Sequence, residues 1–299
     1  MTGSTGFIGK HVTDCLLRDG HLVTSVIRGG AKKAIFKPNP NHFFITTQVL
    51  QSPSVLSESI SKHDIILYCA GSVKGRKFSD FKVANVNFIK KLVRAADKLP
   101  VKPRFILIST LAAKLPKLSF YSLSKWKGER LLHDSSVEWV VLRPTAVYGP
   151  GDTELFPLLK MISNGVCPNI IGSEQTLSLL HVRDLVLDIV EVIENFDEYI
   201  YKTIEIHDGK IHGYKWDEIK KILRKGRITF NIPVPCWSLK ILAKINYCLS
   251  GMIGYNPMLT LGKVRELRYP DWSCDSSLKQ LETRLKNRIT LDCNASGLH

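Results

Sequence analysis

The sequence predicts an α/β fold, in which a parallel sheet is doubly wound and helices cover both of its faces. Two observations predict it. Short aliphatic or β-branched runs alternate with segments whose apolar residues recur at helical spacing through the first half of the chain. A glycine-rich turn at residues 2–9 leads directly into the first of these helical segments. Strands that alternate with helices are typical of βαβ units, and such units build a parallel sheet.

The elements follow one another along the chain as short apolar runs and longer amphipathic ones. Strands are predicted at residues 22–27, 43–47, 64–71, 105–108 and 139–142. Helices are predicted at residues 10–18, 53–60, 81–98 and 125–133. Beyond residue 152 the alternation fades, and the predicted elements are helices at 154–164, 182–195 and 216–224 and a strand at 203–206.

The composition indicates a globular protein with a strongly basic surface. Of its 299 residues 44% are hydrophobic, which is enough for a sizeable core. It carries 42 Lys and Arg against 27 Asp and Glu, a formal net charge of +15. This excess favours anionic partners, although a solvated basic surface explains it equally well. No sequence signature of nucleic-acid binding accompanies the charge, so no nucleic-acid partner is predicted.

The seven cysteines are scattered along the chain, and none stands in C-x-x-C spacing. This pattern is typical of reduced thiols, which predicts a cytoplasmic protein. His207 and His212 lack cysteine or paired carboxylate partners at metal-ligand spacing, so no metal site is predicted.

The turn at residues 2–9 has the pattern G-x-x-G-x-x-G. Glycines at that spacing let the backbone approach a pyrophosphate and aim the N–H groups of the next helix at the phosphates. The cofactor-binding residues expected in the turn are Gly3, Thr5, Gly6, Phe7, Ile8 and Gly9. We therefore predict a dinucleotide-binding Rossmann domain over residues 1–152. Residues 153–299 are predicted to form a mixed α/β substrate-binding part, with some segments returning to the Rossmann sheet.

The strand that normally delivers the chain into such a turn is apparently missing, because only Met1 precedes Thr2. That strand lies at the centre of a doubly wound sheet, where its loss exposes the edges of its neighbours. We expect a β-branched run of about five to seven residues to be encoded upstream of Met1.

A candidate catalytic group follows the predicted strand at 105–108. Tyr121 and Lys125 are four residues apart, so on a helix they share one face. A tyrosine has an ordinary pKa of ~10, and a nearby ammonium group favours its phenolate and lowers that pKa. Ser109 and Thr110 end the strand about a dozen residues earlier and supply a hydroxyl.

The glycine turn and the catalytic group together resemble the extended short-chain dehydrogenase/reductase family. This family includes nucleotide-sugar epimerases and dehydratases and 3β-hydroxysteroid dehydrogenases. Residues 143–152, with Pro144, resemble the R-P-x-x-x-Y-G-P-G loop beside the nicotinamide. Residues 181–184 resemble the family's H-V-x-D segment, in which we interpret Asp184 as a structural carboxylate at a helix N-terminus.

The resemblance implies a role for each catalytic candidate. Tyr121 transfers the proton, Lys125 holds the nicotinamide ribose, and Thr110 binds the substrate oxygen, with Ser109 as the fallback. Asn85 matches the family asparagine that opens a helix beneath the active site.

The resemblance also implies where the cofactor lies. The backbone at Cys69, Ala70 and Gly71, where the fourth strand ends, passes close to the cofactor. Arg28 ends the second strand where relatives that use NAD carry an acidic residue, and Lys32 and Lys33 follow it. A guanidinium suits a 2′-phosphate, so NADP is favoured over NAD, with an exposed basic loop as the alternative. Gln48 replaces the acid that the family places near the adenine.

The leading function is an NAD(P)-dependent oxidoreductase that moves a hydride between a secondary alcohol or ketone and the nicotinamide. The first alternative is a nucleotide-sugar epimerase or dehydratase, and the second is a non-catalytic, nucleotide-bound scaffold. An apolar stretch at 234–255 resembles members that act on lipids and steroids, whereas Arg183, Arg265 and Arg268 suit a diphosphate.

The stretch at 235–249 also raises the question of membrane contact. Lys240 and Lys244 within it, Pro235 before it and Gly251 after it argue against a transmembrane span. A core or lid helix is the first interpretation, and a helix lying on a membrane surface is the second. The predicted protein is cytoplasmic, with peripheral membrane contact through 235–255 and a homodimer as further hypotheses. Its partner is a small molecule, either a hydrophobic alcohol or ketone or a nucleotide sugar.

Overall fold

A computed structural model describes residues 1–29, 35–170, 175–224 and 230–274. The helices are α1 (Phe7–Arg18), α2 (Pro53–Ser61), α3 (Phe78–Lys82), α4 (Phe88–Ala96), α5 (Phe120–His133), α6 (Phe156–Ser163), α7 (Val182–Glu194), α8 (Phe196–Tyr199), α9 (Trp216–Arg224), α10 (Cys236–Ile253) and α11 (Leu261–Arg268). The strands are β1 (Val23–Ile27), β2 (His42–Thr46), β3 (Ile65–Tyr68), β4 (Arg104–Ile108), β5 (Trp139–Pro144), β6 (Ala146–Tyr148), β7 (Val166–Ile170), β8 (Thr176–Leu177), β9 (Leu179–His181), β10 (Lys202–Ile206), β11 (Tyr214–Lys215), β12 (Phe230–Val234) and β13 (Asp271–Trp272).

The central sheet is parallel and has the order β2-β1-β3-β4-β5-β10, with the N-terminal residues between β1 and β3. This arrangement confirms the predicted doubly wound α/β fold. The strand β10 returns to the sheet from the C-terminal half of the chain and pairs with β5, so that Ile206 lies opposite Pro144.

The place where a first strand seemed to be missing is bridged by Met1 and Thr2. Thr2 forms parallel bridges with Val26 of β1 and with Tyr68 of β3. The Val26 N–H donates to the Met1 carbonyl at 2.8 Å, and the Thr2 N–H donates to the Leu67 carbonyl at 3.0 Å. These two residues therefore join the halves of the sheet at its carboxyl edge, beside the glycine turn.

Helices cover both faces of the sheet. Alternate residues of β4 point to opposite faces, so that Ile106 and Ile108 pack into one apolar cluster while Phe105 and Leu107 pack into the other. The first cluster contains residues of α1 and α7, and the second contains residues of α2, α4 and α5. Burial on both faces explains why the sheet strands read as continuous apolar runs.

The C-terminal half adds three small sheets that sequence patterns did not predict. The strand β6 pairs with β9, β7 pairs with β12, and β8 lies between β11 and β13. Helices α6 and α9 pack together around a third apolar cluster that includes Tyr148, Ile162 and Ile219. Two- and three-residue strands carry too little periodicity to be recognised from sequence.

The predicted helix at 81–98 is interrupted by a π-helical turn over Val83–Asn87, between α3 and α4. The Ala84 carbonyl accepts a hydrogen bond from the Tyr68 hydroxyl, and the backbone of Asn85 lies against Gly128 of α5. The wider turn thus follows from contacts made by β3 and α5.

The stretch at 235–249 belongs to α10, an 18-residue helix that ends at Gly254 with a φ of +81°. Among the described helices, none combines the length and the apolar character that crossing a bilayer requires.

We predict that Gly128→Ala destabilises the protein although it sits inside a helix. A Cβ on Gly128 would lie 2.5 Å from the Asn85 carbonyl oxygen, which is backbone and cannot move alone. We expect the free energy of unfolding to fall by about 1–3 kcal/mol in urea titrations.

Gly251→Ala is the matched control for this substitution. A Cβ there would meet only the guanidinium end of Arg76, at 2.8 Å, which is free to rotate away. Replacing a helical glycine by alanine then stabilises by up to about 1 kcal/mol. Equal effects of the two substitutions would show that α5 does not depend on this close approach.

Candidate active site

The glycine turn is packed so tightly that two of its glycines have no room for a side chain. Gly3 has a φ of +74°, and a Cβ on it would lie 2.5 Å from the Ala70 nitrogen. A Cβ on Gly9 would lie 2.0 Å from the Gly3 carbonyl oxygen. The Gly6 N–H donates to that same oxygen at 2.9 Å, which closes the turn at the start of α1. The backbone therefore forms a cradle against the end of β3.

This cradle fits a dinucleotide pyrophosphate. Gly6 is the N-cap of α1, and in the described structure no side chain caps the first N–H groups of that helix. Its first turn carries no acidic residue, which leaves the positive end of the helix dipole open to an anion. The Ser4 hydroxyl is buried in the turn without a hydrogen-bond partner among the described residues. The remaining cofactor candidates of the turn, Thr5, Phe7 and Ile8, are half-buried around it.

Tyr121 and Lys125 occupy the first turns of α5, which begins at Phe120 rather than at residue 125. The Ser119 hydroxyl caps this helix by accepting from the Ser122 N–H at 3.0 Å. The Thr110 hydroxyl accepts from the Ala112 N–H at 3.4 Å and lies near Tyr121, where it acts to lower the pKa of the phenol. Lys125 is buried, and its ammonium group donates to the Ile108 carbonyl at 2.7 Å. The structure thus brings Tyr121, Thr110 and Lys125 together at the carboxyl end of β4.

Ser109 points into a different cluster from Thr110. Its hydroxyl donates to the buried carboxylate of Glu129, with which Arg143 forms a bidentate pair at 3.0 and 2.6 Å. Thr110, rather than Ser109, therefore acts on the pKa of Tyr121, and the role of Thr110 in binding a substrate oxygen stays a prediction. Ser109 instead helps to hold β4 against α5.

Asn85 lies within the π-helical turn, not at the start of a helix as its family position implied. Its side chain accepts from the Ser72 N–H at 2.9 Å and donates to the Ser124 hydroxyl of α5 at 2.8 Å. A Cβ on Gly71 would lie 3.3 Å from the Asn85 side-chain oxygen and 3.9 Å from the Lys125 nitrogen. Asn85 therefore connects the loop after β3 to the catalytic helix.

Burial and nearby groups act on the pKa values of the candidate catalytic residues. The pKa of Tyr121 is raised to about 12 by burial and by the Glu266 carboxylate, and Thr110 opposes this only in part. The lowering of that pKa by Lys125 together with a nicotinamide ring stays a prediction. Burial lowers the pKa of Lys125 to about 8 and raises the pKa of the Cys69 thiol to about 11.

Arg28 and Gln48 lie at the carboxyl ends of adjacent strands. The Thr47 N–H donates to the Ile27 carbonyl at 3.0 Å, so the chain segments that follow β1 and β2 start side by side. Both side chains are exposed. Lys32 and Lys33 lie outside the described residues. Arg28 and Gln48 therefore stand together at the edge where the adenosine half of a dinucleotide would extend.

Two further motifs also reach this side of the molecule. Pro144 is buried at the end of β5. His181 is the N-cap of α7, where its ring accepts from the Arg183 N–H at 3.3 Å and packs edge-on against Tyr148. Asp184 is buried in the first turn of α7, as expected for a structural carboxylate.

Sequence reasoning missed Glu266, which reaches the catalytic helix from α11. Its carboxylate accepts hydrogen bonds from the hydroxyls of Ser119 and, at 3.4 Å, of Ser122, and it pairs with Lys263 at 3.1 Å. No local motif marks this residue, because its partner Ser119 lies 147 residues earlier in the chain. The Ser119 cap was recognisable in principle, since serine is favoured at helix N-caps.

The chain belongs to the NAD dependent epimerase/dehydratase family, whose model matches residues 1–206. This confirms the resemblance to extended short-chain dehydrogenases/reductases, and it places the chain in a family of NAD-dependent enzymes.

Similar proteins include both reductases and epimerases. A ceramide reductase from Caulobacter vibrioides is 26% identical over 288 residues, which cover 93% of this chain and 86% of the relative. A UDP-glucose 4-epimerase from Vibrio cholerae is 26% identical, over 82% of this chain and 81% of the relative. The fold resembles that of a UDP-glucuronic acid 4-epimerase from Bacillus cereus solved with NAD, with a TM-score of 0.66 and 21% identity over 90% and 96% of the two chains.

We predict that Glu266→Gln shifts the pH profile of turnover to lower pH. Removing the carboxylate removes a negative charge that raises the pKa of Tyr121, while the amide keeps a hydrogen-bond acceptor for Ser119. Reduction needs protonated tyrosine, so its rate falls as the pH passes that pKa, and it should fall earlier in the variant. Oxidation needs the phenolate, and its rate should rise earlier.

The control is Glu138→Gln, at the amino end of β5, where Glu138 pairs with Arg104 at 3.2 Å. It removes the same charge at the opposite edge of the sheet and should leave the profile unmoved. A common shift in both variants would mean that overall charge, rather than Glu266, sets the protonation of Tyr121.

Proposed function

We propose that this protein is an NADP-dependent oxidoreductase that interconverts a hydrophobic secondary alcohol and its ketone. The observation that carries the proposal is that Tyr121, Thr110 and Lys125 lie together at the carboxyl end of β4, where the Lys125 ammonium donates to the Ile108 carbonyl at 2.7 Å. The glycine cradle at the start of α1 opens at the same edge of the sheet. Ligands of open α/β sheets bind along this edge.

Each residue has a distinct task in this proposal. A bound nicotinamide supplies or accepts the hydride. In the reductive direction the Tyr121 hydroxyl gives its proton to the carbonyl oxygen that becomes the alcohol, and Thr110 holds that oxygen. Lys125, fixed by the Ile108 carbonyl, presents its ammonium beside Gly71, where the absent side chain leaves room for a ribose. In the oxidative direction the proton returns to the tyrosine.

Reduction requires Tyr121 in its protonated form. With a pKa raised to about 12, its hydroxyl remains protonated near neutrality and is ready to act as a proton donor. A phenolate, which oxidation requires, forms only when the nicotinamide's positive charge and Lys125 offset the burial and the charge of Glu266.

The proposed substrate is lipid-like. A ceramide reductase is among the relatives that align with most of the chain. The segment at 235–255 carries many apolar side chains, and α10 packs against α11, which supplies Glu266 to the catalytic helix. We therefore propose a long-chain ketone or alcohol, delivered from the side of the molecule that α10 forms.

Epimerisation or dehydration of a nucleotide sugar is the second candidate. A UDP-glucose 4-epimerase is also among the relatives. Three arginines suit a diphosphate. Arg265 donates a hydrogen bond to the Leu118 carbonyl at 2.7 Å, and the side chains of Arg183 and Arg268 are exposed. A non-catalytic scaffold is disfavoured, because Tyr121, Thr110 and Lys125 are all present and assembled.

Other parts of the interpretation stay predictions. These are the division at residue 152, the homodimer and the cytoplasmic location. Membrane contact through 235–255 belongs to the same proposal, since a lipid-like substrate resides in a bilayer.

We predict that Tyr121→Phe lowers turnover by roughly 100-fold or more. The substitution removes the proton donor and keeps the ring that packs near Phe81, with centroids 6.2 Å apart. Cofactor binding, followed by NADPH fluorescence, should remain within a few-fold of wild type. The assay offers hydrophobic ketones of increasing chain length, dispersed in detergent, and UDP-glucose in parallel.

The two candidate functions predict different results in this assay. NADPH consumption that rises with ketone chain length supports the reductase. Epimerised UDP-sugar without net cofactor consumption supports the epimerase instead. Turnover that survives Tyr121→Phe with every substrate would overturn the catalytic assignment.

We predict a preference for NADPH over NADH that depends on Arg28. Its exposed guanidinium at the end of β1 suits a 2′-phosphate, and its loss should weaken NADPH binding roughly 10- to 100-fold in Arg28→Asp. NADH binding should change little, because NADH lacks that phosphate. Arg94→Asp, which alters an exposed arginine on α4, is the control. Wild-type protein that binds NADH more tightly would show that Arg28 belongs only to a basic surface loop.

A further inference from the structure

We propose that the outward face of α10 docks on an anionic lipid bilayer and presents the active-site edge of the molecule to it. This inference deepens the proposed function, because it supplies the route by which a lipid-like substrate would arrive. The α10 face is defined here by Trp237, Ile241, Ile245, Leu249 and Met252.

The helix α10 exposes its apolar side chains rather than burying them. Among its residues, Ala243 and Ser250 are the buried ones, and they lie on the side opposite the α10 face. Trp237 is 64% exposed, Ile241 and Ile245 are about half exposed, and Met252 is 83% exposed. Spacings of three and four residues place all five members of the α10 face on one side of the helix. A soluble helix normally has the reverse orientation, with polar residues outward.

Further exposed apolar side chains lie on α10 and on the segments that precede and follow it. They are Phe230 and Ile232 of β12, Leu242 and Ile253 of α10, and Tyr255. Exposed apolar surface of this kind marks an interaction site. A tryptophan at one end of such a face is typical of helices that lie in the headgroup region of a bilayer.

The charged residues near α10 indicate which kind of partner the α10 face binds. Residues 219–265 contain nine Lys and Arg and no Asp or Glu, within a chain of net charge +15. Lys240 and Lys244 are exposed and flank the α10 face along one side. From there their ammonium groups reach lipid phosphates while their aliphatic stems stay with the apolar surface. This pattern fits anionic lipid headgroups.

The same charge argues against a second copy of this chain as the occupant. In a two-fold interface through the α10 face, the same patch of each copy would meet its equivalent. Lys240 and Lys244 of one copy would then lie near the same lysines of the other copy, and the like charges would repel. An anionic bilayer satisfies both the apolar and the basic character of the face.

The α10 face lies on a helix that is anchored to the loop beside the active site. The Arg76 guanidinium stacks over the Tyr247 ring at 4.6 Å, and the Gly75 N–H donates to the Pro257 carbonyl at 3.2 Å. Gly75 lies against Phe81, whose ring is in turn near Tyr121. Docking through α10 therefore brings the catalytic edge close to the membrane surface.

Vesicle flotation of the full chain tests the proposal. The probes are vesicles of phosphatidylcholine alone and vesicles with about one-third phosphatidylglycerol. We expect strong preference for the anionic vesicles and weaker binding at higher salt. Lys240→Gln and Lys244→Gln should each weaken anionic binding roughly five-fold. Met252→Glu should weaken binding at least ten-fold, because it places a carboxylate within the apolar face.

The matched control is Val101→Glu, because Val101 is 82% exposed, nearly the same as Met252, and lies away from α10. It should bind vesicles like the wild type. Equal binding by Met252→Glu, or no preference for anionic vesicles, would overturn the proposal. The proposal would also be overturned if the wild-type protein did not bind vesicles and formed a dimer that Met252→Glu dissociates.

The result of the vesicle experiment can be distinguished from the result of the assays that test the proposed function. Tyr121→Phe should float with vesicles like the wild type, although it is catalytically impaired. Met252→Glu should retain turnover of a short, water-soluble ketone and lose turnover of a long-chain ketone presented in anionic vesicles. A protein that floats as expected but reduces no ketone would contradict the reaction and leave the docking surface in place.

Discussion

The close approach of the backbone at Thr2 and Gly3 to the end of β3 is the constraint on which the rest of the structure depends. Thr2 bridges β1 to β3, and Gly3 lies so near Cys69 and Ala70 that any side chain on it would overlap their backbone atoms. The start of α1, and with it the anion cradle, is thereby set relative to the sheet. The same contact places the cradle beside Gly71, which lies near Lys125.

The catalytic helix is held by polar contacts from separate parts of the chain. Asn85 reaches it through Ser124, the Ser109 hydroxyl reaches it through Glu129, and Glu266 reaches its cap at Ser119. Buried polar groups are costly unless they are hydrogen-bonded, so these contacts specify one position for the helix. The contact with Glu266 also has an electrostatic consequence, because it links α11 to the protonation of Tyr121.

The proposed reaction and the proposed docking surface meet at the loop that follows β3. Its residue Ser72 is bonded to Asn85, and Gly75 and Arg76 contact the segment that contains α10. An exposed apolar helix near the proposed site suits a substrate with a long hydrocarbon part, since that part then leaves a bilayer without becoming fully hydrated. The ceramide reductase among the relatives and the exposed face of α10 support the proposed class of substrate from independent observations.

The sequence by itself determined the doubly wound α/β fold, most helix positions, the glycine turn before α1, and the shared helix that carries Tyr121 and Lys125. These depend on short-range geometry: alternating burial, helical spacing and the absence of side chains at a turn. Tertiary structure alone directed the Ser109 hydroxyl to Glu129, introduced the π-helical turn around Asn85, and raised the pKa of Tyr121. Each of these outcomes depends on groups distant in the chain, such as Glu266, 147 residues from Ser119. Burial and charge act through space, so the local pattern of apolar residues does not reveal their effects.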